Sequence, residues 1–174
     1  MESAEHLPSQ VRGPDDIEQN SWHGFLDAAT LLYHTLNQRL LKEHRLSLFD
    51  VLLMDALDKS DCGAIRMGDL AATLTLSPSR TSQQVRRLEC QGLVRRITSS
   101  DDRRVVYAAI TRDGRRRVQP ALATYAKLVR AHYLDPLSRS QMTAVGDSSR
   151  RIRAALQESG LPAKVSDIES NGHP

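Results

Sequence analysis

The sequence predicts a mainly α-helical chain with a small β-hairpin wing, that is, a winged helix-turn-helix with long helices before and after it. Three observations lead there. Two short helical stretches, Gly68–Leu74 and Pro78–Gln91, are separated by three residues, and the second leaves Arg, Gln and Ser side chains on its outer face. Two runs containing β-branched residues, Leu93–Thr98 and Val105–Ile110, flank Ser99-Ser100-Asp101-Asp102, which is turn chemistry. Ahead of them, Leu26, Ala29, Tyr33, Leu36 and Leu40 recur at near-heptad spacing in one long helix.

Residues 1–15 hold Pro8, Gly13 and Pro14 without periodicity and are expected to form a flexible arm. The first helix is expected over residues 16–46, and its apolar stripe needs a facing partner. Ser47 is a suitable N-cap for a second helix, with Asp50 in its first turn, where the helix dipole favours an acid. Val51, Leu52, Met54, Ala56 and Leu57 make that helix largely buried. Lys59–Gly63 reads as a turn, and Ala64-Ile65-Arg66 as a very short strand. Leu70, Ala71 and Leu74 face inward from the third helix. Ser77 followed by Pro78 starts the fourth, Gly92 ends it, and Thr81, Val85 and Leu88 point to the core. After the hairpin, Thr111 caps a fifth helix that reaches towards Tyr133, with Pro120 expected to kink or locally break it. Ser138 and Gln141 have capping-box spacing for a last helix to about Glu158, with Met142, Val145, Ile152 and Leu156 as its apolar face. Residues 159–174 are expected to be disordered.

Charge narrows the function. Residues 80–117 hold eleven arginines against four acids, a local charge of +7 in a chain whose total is +3. One sign this concentrated is the footprint of a polyanion-binding surface, whereas an ordinary solvated face intersperses both signs. Aromatics at 4% are too few for a base-stacking platform of the RNA or single-strand kind. No run approaches the 18 apolar residues of a membrane span, and the polar N-terminus has no apolar export segment, so the expected location is the cytoplasm. Cys62 and Cys90 are too few for a disulfide framework and match no metal spacing. With no glycine-rich phosphate loop, nucleophile elbow or paired His/Glu metal helix, neither an enzyme nor a cofactor is expected.

In this order the elements resemble the MarR family of bacterial transcription regulators over about residues 18–158. Four pieces carry the likeness: Leu48-Phe49-Asp50-Val51-Leu52-Leu53, Met67-Gly68-Asp69-Leu70-Ala71, Val85-Arg86-Arg87-Leu88-Glu89 through Gly92-Leu93-Val94-Arg95-Arg96, and Asp102-Arg103-Arg104 followed by Ile110-Thr111-Arg112-Asp113-Gly114. The resemblance implies a homodimer whose dimerisation helices lie at residues 16–46 and 112–158, on either side of a DNA-binding lobe at 47–111. Two lobes would meet a pseudo-palindromic operator in adjacent major grooves of double-stranded DNA.

Site roles follow from chemistry and from the resemblance together. Arg80, Ser82, Gln83 and Arg86 lie on the outer face of the recognition helix, where Arg pairs with guanine and Gln with adenine; a phosphate contact is the other reading for Arg86. Ser79, at the helix start, suits a phosphate. Arg87 is read either as a phosphate contact or as an ion pair stabilising the lobe. The resemblance implies that Asp102 orients Arg104 into the minor groove, with Arg103 against phosphate. Arg115, Arg116 and Arg117 are read either as part of the basic surface or as a solvated start to the fifth helix. Gln84 departs from the family pattern, which has an apolar residue there.

Many relatives are repressors released by a small phenolic or anionic effector, for which Trp22, Asp50 and Arg66 are the candidate lining, with Tyr33 or His34 beyond. Each also has a plain structural reading: Trp22 as a helix anchor, Asp50 as a dipole partner, Arg66 as a surface residue. Cys90 is expected to be a small buried apolar residue, and Cys62 to lie in a loop. The competing function is that of a nonspecific architectural DNA binder, which shares the basic face but has no use for an exposed Arg/Ser/Gln reading face.

Overall fold

The computed structural model describes residues 13–100 and 102–158. The arm expected over residues 1–15, apart from 13–15, and the tail expected over 159–174 lie outside the described residues. The chain divides into two compact units, Met1–His34 and Thr35–Pro174.

The first unit contains the start of helix α1 (Asp16–His44). Asp15 caps it: its Oδ1 accepts from the amides of Ile17 and Glu18 at 3.0 Å each, and the Glu18 carboxylate accepts from the Asp15 amide at 2.8 Å. Ile17, Trp22, Phe25, Leu26, Leu31 and Tyr33 are all exposed here, and the Trp22 and Phe25 rings stack at a tilt, 6.3 Å apart.

In the second unit the stripe of α1 turns inward, with Leu36 and Leu40 buried. The helix stops at His44, two residues short of expectation, because Arg45 takes a left-handed φ of +57°. Helix α2 (Leu48–Lys59) follows through a capping box between Ser47 and Asp50. Strand β1 (Ala64–Arg66) leads into α3 (Met67–Leu74), which ends on Thr75 in the left-handed region. Helix α4 (Pro78–Cys90) closes on Gly92, at φ +70°: the Gly92 amide donates to the Glu89 carbonyl and the Leu93 amide to that of Leu88, a Schellman stop. Strands β2 (Val94–Thr98) and β3 (Val106–Ile110) form the hairpin, and β3 also pairs with β1, giving an antiparallel sheet in the order β1-β3-β2.

The core gathers on α2. Leu40, Leu46, Leu53, Met54, Leu57, Leu70, Val85, Leu88, Val94 and Val118 are fully enclosed, and burying one such Leu, Val or Met side chain contributes about 1.5–3 kcal/mol. Helix α5 (Arg112–Val129) is continuous through Pro120, which corrects the expected break. Pro120 is exposed, so the Arg116 carbonyl it leaves unbonded sits on the solvent side of the helix. The departure from α geometry comes later, as a π-helical turn over Arg130–Leu134, where the Asp135 amide reaches the Arg130 carbonyl at 2.8 Å. Helix α6 (Arg139–Glu158) opens with the capping box expected from Ser138 and Gln141, and none of its residues is buried.

Cys90 is exposed, not buried as expected. The core-facing positions of α4 are 81, 85 and 88, and two residues past 88 is about 200° around the helix. Among the described residues no helix is long and apolar enough to cross a membrane.

Candidate nucleic-acid interface

Helix α4 sorts its residues onto four faces. Ser77 caps it by accepting from the Arg80 amide at 3.2 Å, and Pro78 occupies the first turn. Thr81, Val85 and Leu88 are enclosed beneath. Arg80, Gln83 and Arg86, three residues apart, are exposed, with Ser79 exposed beside the N-terminus. On one flank Ser82 and Glu89 meet Arg96 of β2. The Arg96 guanidinium donates to the Ser82 carbonyl at 2.9 Å and lies 3.6 Å from one Glu89 oxygen, while its amide donates to the other at 3.1 Å.

On the opposite flank Gln84 and Arg87 turn to Asp50. Asp50 is 0% exposed. Its Oδ2 accepts from the Ser47 amide at 2.7 Å and the Ser47 hydroxyl at 2.8 Å. Its Oδ1 accepts from Gln84 Nε2 at 2.5 Å and from the Arg87 guanidinium. A buried carboxylate costs several kcal/mol unless donors replace its water, and here four donors do so. Gln84, out of pattern in the sequence, thus has a polar partner, and of its two readings Arg87 makes the ion pair. Asp50 itself has no surface left to line an effector pocket.

The wing tip carries Arg103 and Arg104, both exposed. Asp102 orients the tip through the backbone: its carboxylate accepts from the Arg104 amide at 2.9 Å, and its carbonyl from the Val105 amide at 2.9 Å. Between wing and helix lies a cleft of about 510 Å³, lined by Arg66, Met67, Gly68, Pro78, Ser82, Arg96, Thr98, Arg104 and Val106. Arg66, a candidate for an effector pocket from the sequence, therefore opens onto the basic side of the molecule. Trp22, the third effector candidate, lies in the first unit, 56% exposed and set against Phe25.

The basic block divides on these contacts. Among the described residues Arg80, Arg86, Arg103 and Arg104 form no ion pair. Arg87, Arg96, Arg115 and Arg116 pair with Asp50, Glu89, Asp58 and Asp113. Arg117 donates to the His44 carbonyl at 2.7 Å, tying α5 to the end of α1. Arg115 and Arg117 thus tie the head of α5 to its neighbours, whereas Arg116 makes an exposed pair within the solvated start of the helix. Arg66 has no place in the basic surface on the sequence reading, and Arg96, although within the basic stretch, has no role of its own there; its position in a strand directly after the reading helix is the further signal for it.

The whole arrangement has close counterparts among solved structures. AbsC, a MarR family transcriptional regulator from Streptomyces coelicolor, superposes with a TM-score of 0.81 at 30% identity, over 85% of this chain and 99% of that one. The chain belongs to the MarR family. A second MarR regulator of the same organism, Sco3205, solved in complex with DNA, matches with a TM-score of 0.82 at 29% identity, over 86% of this chain and 93% of its own. The MarR family model matches residues 60–106, the segment from the turn before β1 to the start of β3. The HTH-type transcriptional repressor MdtR of Bacillus subtilis is 25% identical over 95 residues, and the match spans 61% of that relative's length.

Proposed function

We propose that the protein is a dimeric, sequence-specific regulator of transcription that reads double-stranded DNA with α4 and anchors with the wing. One observation carries the reading: Arg80, Gln83 and Arg86 share an exposed face with no ion pair among the described residues, beside a wing tip bearing Arg103 and Arg104. Arginine and glutamine there can make bidentate contacts to guanine and adenine edges, each worth about 1–3 kcal/mol of discrimination. Ser79 and Arg103 serve as phosphate contacts, and Arg104 suits a narrow minor groove. The large exposed apolar residues among those described, from Ile17 to Leu41 and from Val145 to Leu156, all fall on α1 and α6. A second copy is the occupant that such faces require in this family, and its two-fold axis makes the operator pseudo-palindromic. MdtR is named a repressor, and repression released by a small phenolic or anionic effector is the regulation we assign.

Footprinting on the protein's own upstream region tests this reading. A discrete protected site with two related halves is expected. Uniform protection that scales with duplex length would instead make the protein an architectural DNA binder. At that site Arg104→Ala and Arg66→Ala are each expected to weaken binding by about tenfold and to lower the salt dependence by about one phosphate. Their thermal melts should match the wild type, since both side chains are exposed; a gross loss of stability in Arg104→Ala would overturn the wing assignment.

A further inference from the structure

We propose that Asp50 is a positioning residue for sequence recognition: from its enclosed place at the start of α2 it fixes the rotation of α4, and thereby the aim of Arg80, Gln83 and Arg86. The proposal rests on the DNA-reading function above. Its basis is the division of labour on one carboxylate. Oδ2 is occupied by the Ser47 amide and hydroxyl, which anchor it to the cap of α2. The cap is itself tied to α1, because the Leu48 amide donates to Asn37 Oδ1 at 2.9 Å. Oδ1 receives only donors from α4, Gln84 and Arg87, which lie three residues apart on one flank.

Arg96 grips Ser82 and Glu89 on the other flank, so the reading face lies between two polar clamps. A helix packed on apolar residues alone can roll on them, because dispersion contacts are not directional. A roll of about 10° moves atoms at the outer radius of a helix by about 1 Å, enough to spoil a bidentate base contact. Hydrogen bonds to a fixed carboxylate oppose that roll. The assignment also removes Arg87 from the DNA contacts: its charge is matched within the lobe although its side chain is 45% exposed.

The experiment compares wild type, Asp50→Asn, Gln84→Met and Arg87→Gln, all full length, on the footprinted duplex and on an unrelated duplex of equal length, over a series of salt concentrations. In Asp50→Asn the ratio of the two affinities is expected to fall by about tenfold, the scale of losing one base contact. Gln84→Met and Arg87→Gln should shift the ratio in the same direction by less. Salt dependence should stay at the wild-type slope in all three. If Arg87→Gln instead weakens both duplexes equally and lowers the slope by about one, Arg87 is a phosphate contact and the proposal is overturned. Unchanged ratios in folded variants overturn it as well. Should Asp50→Asn fail to fold, the two α4 variants, at incompletely buried positions, decide the matter alone. A wild type that prefers neither duplex overturns the DNA-reading function itself; a selective wild type with equally selective variants overturns only the role of Asp50.

Discussion

Replacing Ile152 and Leu156 together by glutamate is expected to turn the protein into a monomer and to cost about a hundredfold or more in affinity for its operator, the scale on which linked binding exceeds single binding. The two residues lie one turn apart on α6 and are 47% and 52% exposed, in a helix that buries none of its residues within one chain. Neither contributes to the core beneath α4, so the lobe has no reason to unfold within its own chain. What the substitutions remove is an apolar surface fit for a partner, adding four like charges to a two-fold contact. Sedimentation and binding to a full operator and to a half-site, measured side by side, read the outcome. A variant that sediments as a dimer and binds the full operator normally would place the association surface elsewhere.

Gly114→Ala is expected to destabilise the fold by about 3 kcal/mol, near the upper end for overpacking, and to lower Tm by about 6–12 °C for a chain of this size. In most helices the same change gains about 1 kcal/mol, because alanine is the better helix former. Here the sign reverses. A Cβ on Gly114 would stand 2.1 Å from the Leu93 carbonyl oxygen and 2.9 Å from Ile110 Cγ1. That carbonyl cannot step aside freely, since it accepts from the Thr111 amide at 3.0 Å and from the Thr111 hydroxyl at 3.1 Å. The glycine is needed for close approach of helix to strand rather than for a special φ. A melt at or above the wild-type temperature would mean that α5 and β2 are not locked together.

What was legible in the sequence was whatever the chain decides locally. Ser47 with Asp50, Ser77 with Pro78, Gly92, Thr111 and Ser138 with Gln141 mark helix ends because a cap needs only residues a few positions away. The three-residue strand at Ala64 was also legible, flanked as it was by turn chemistry, although its partner β3 lies more than forty residues on. The partners of the charged groups were not legible. Arg115 and Asp58 are 57 positions apart, and Arg87 and Asp50 are 37 apart, so nothing short-range links them. Thus Arg115 and Arg117 read as ambiguous charge and Gln84 as an anomaly until the fold brought their acceptors near. Cys90 was a failure of a different kind, since helical periodicity from Thr81, Val85 and Leu88 already points it outward.

The contacts at the head of α5 have a mechanical consequence. Arg115 holds α2 through Asp58, Arg117 holds the last carbonyl of α1, and Thr111 and Gly114 press against the strand that begins the wing. That joint is therefore held at three places, two by charge-assisted bonds and one by the Thr111 hydrogen bonds and the close approach of Gly114 to the Leu93 carbonyl. Such contacts couple the head of α5 to α1, α2 and the base of the wing. A displacement of α5 at that end is expected to act on the wing and the reading helix together, so in the dimer proposed above the spacing between two such lobes, rather than the shape of either, is the quantity an effector is expected to change.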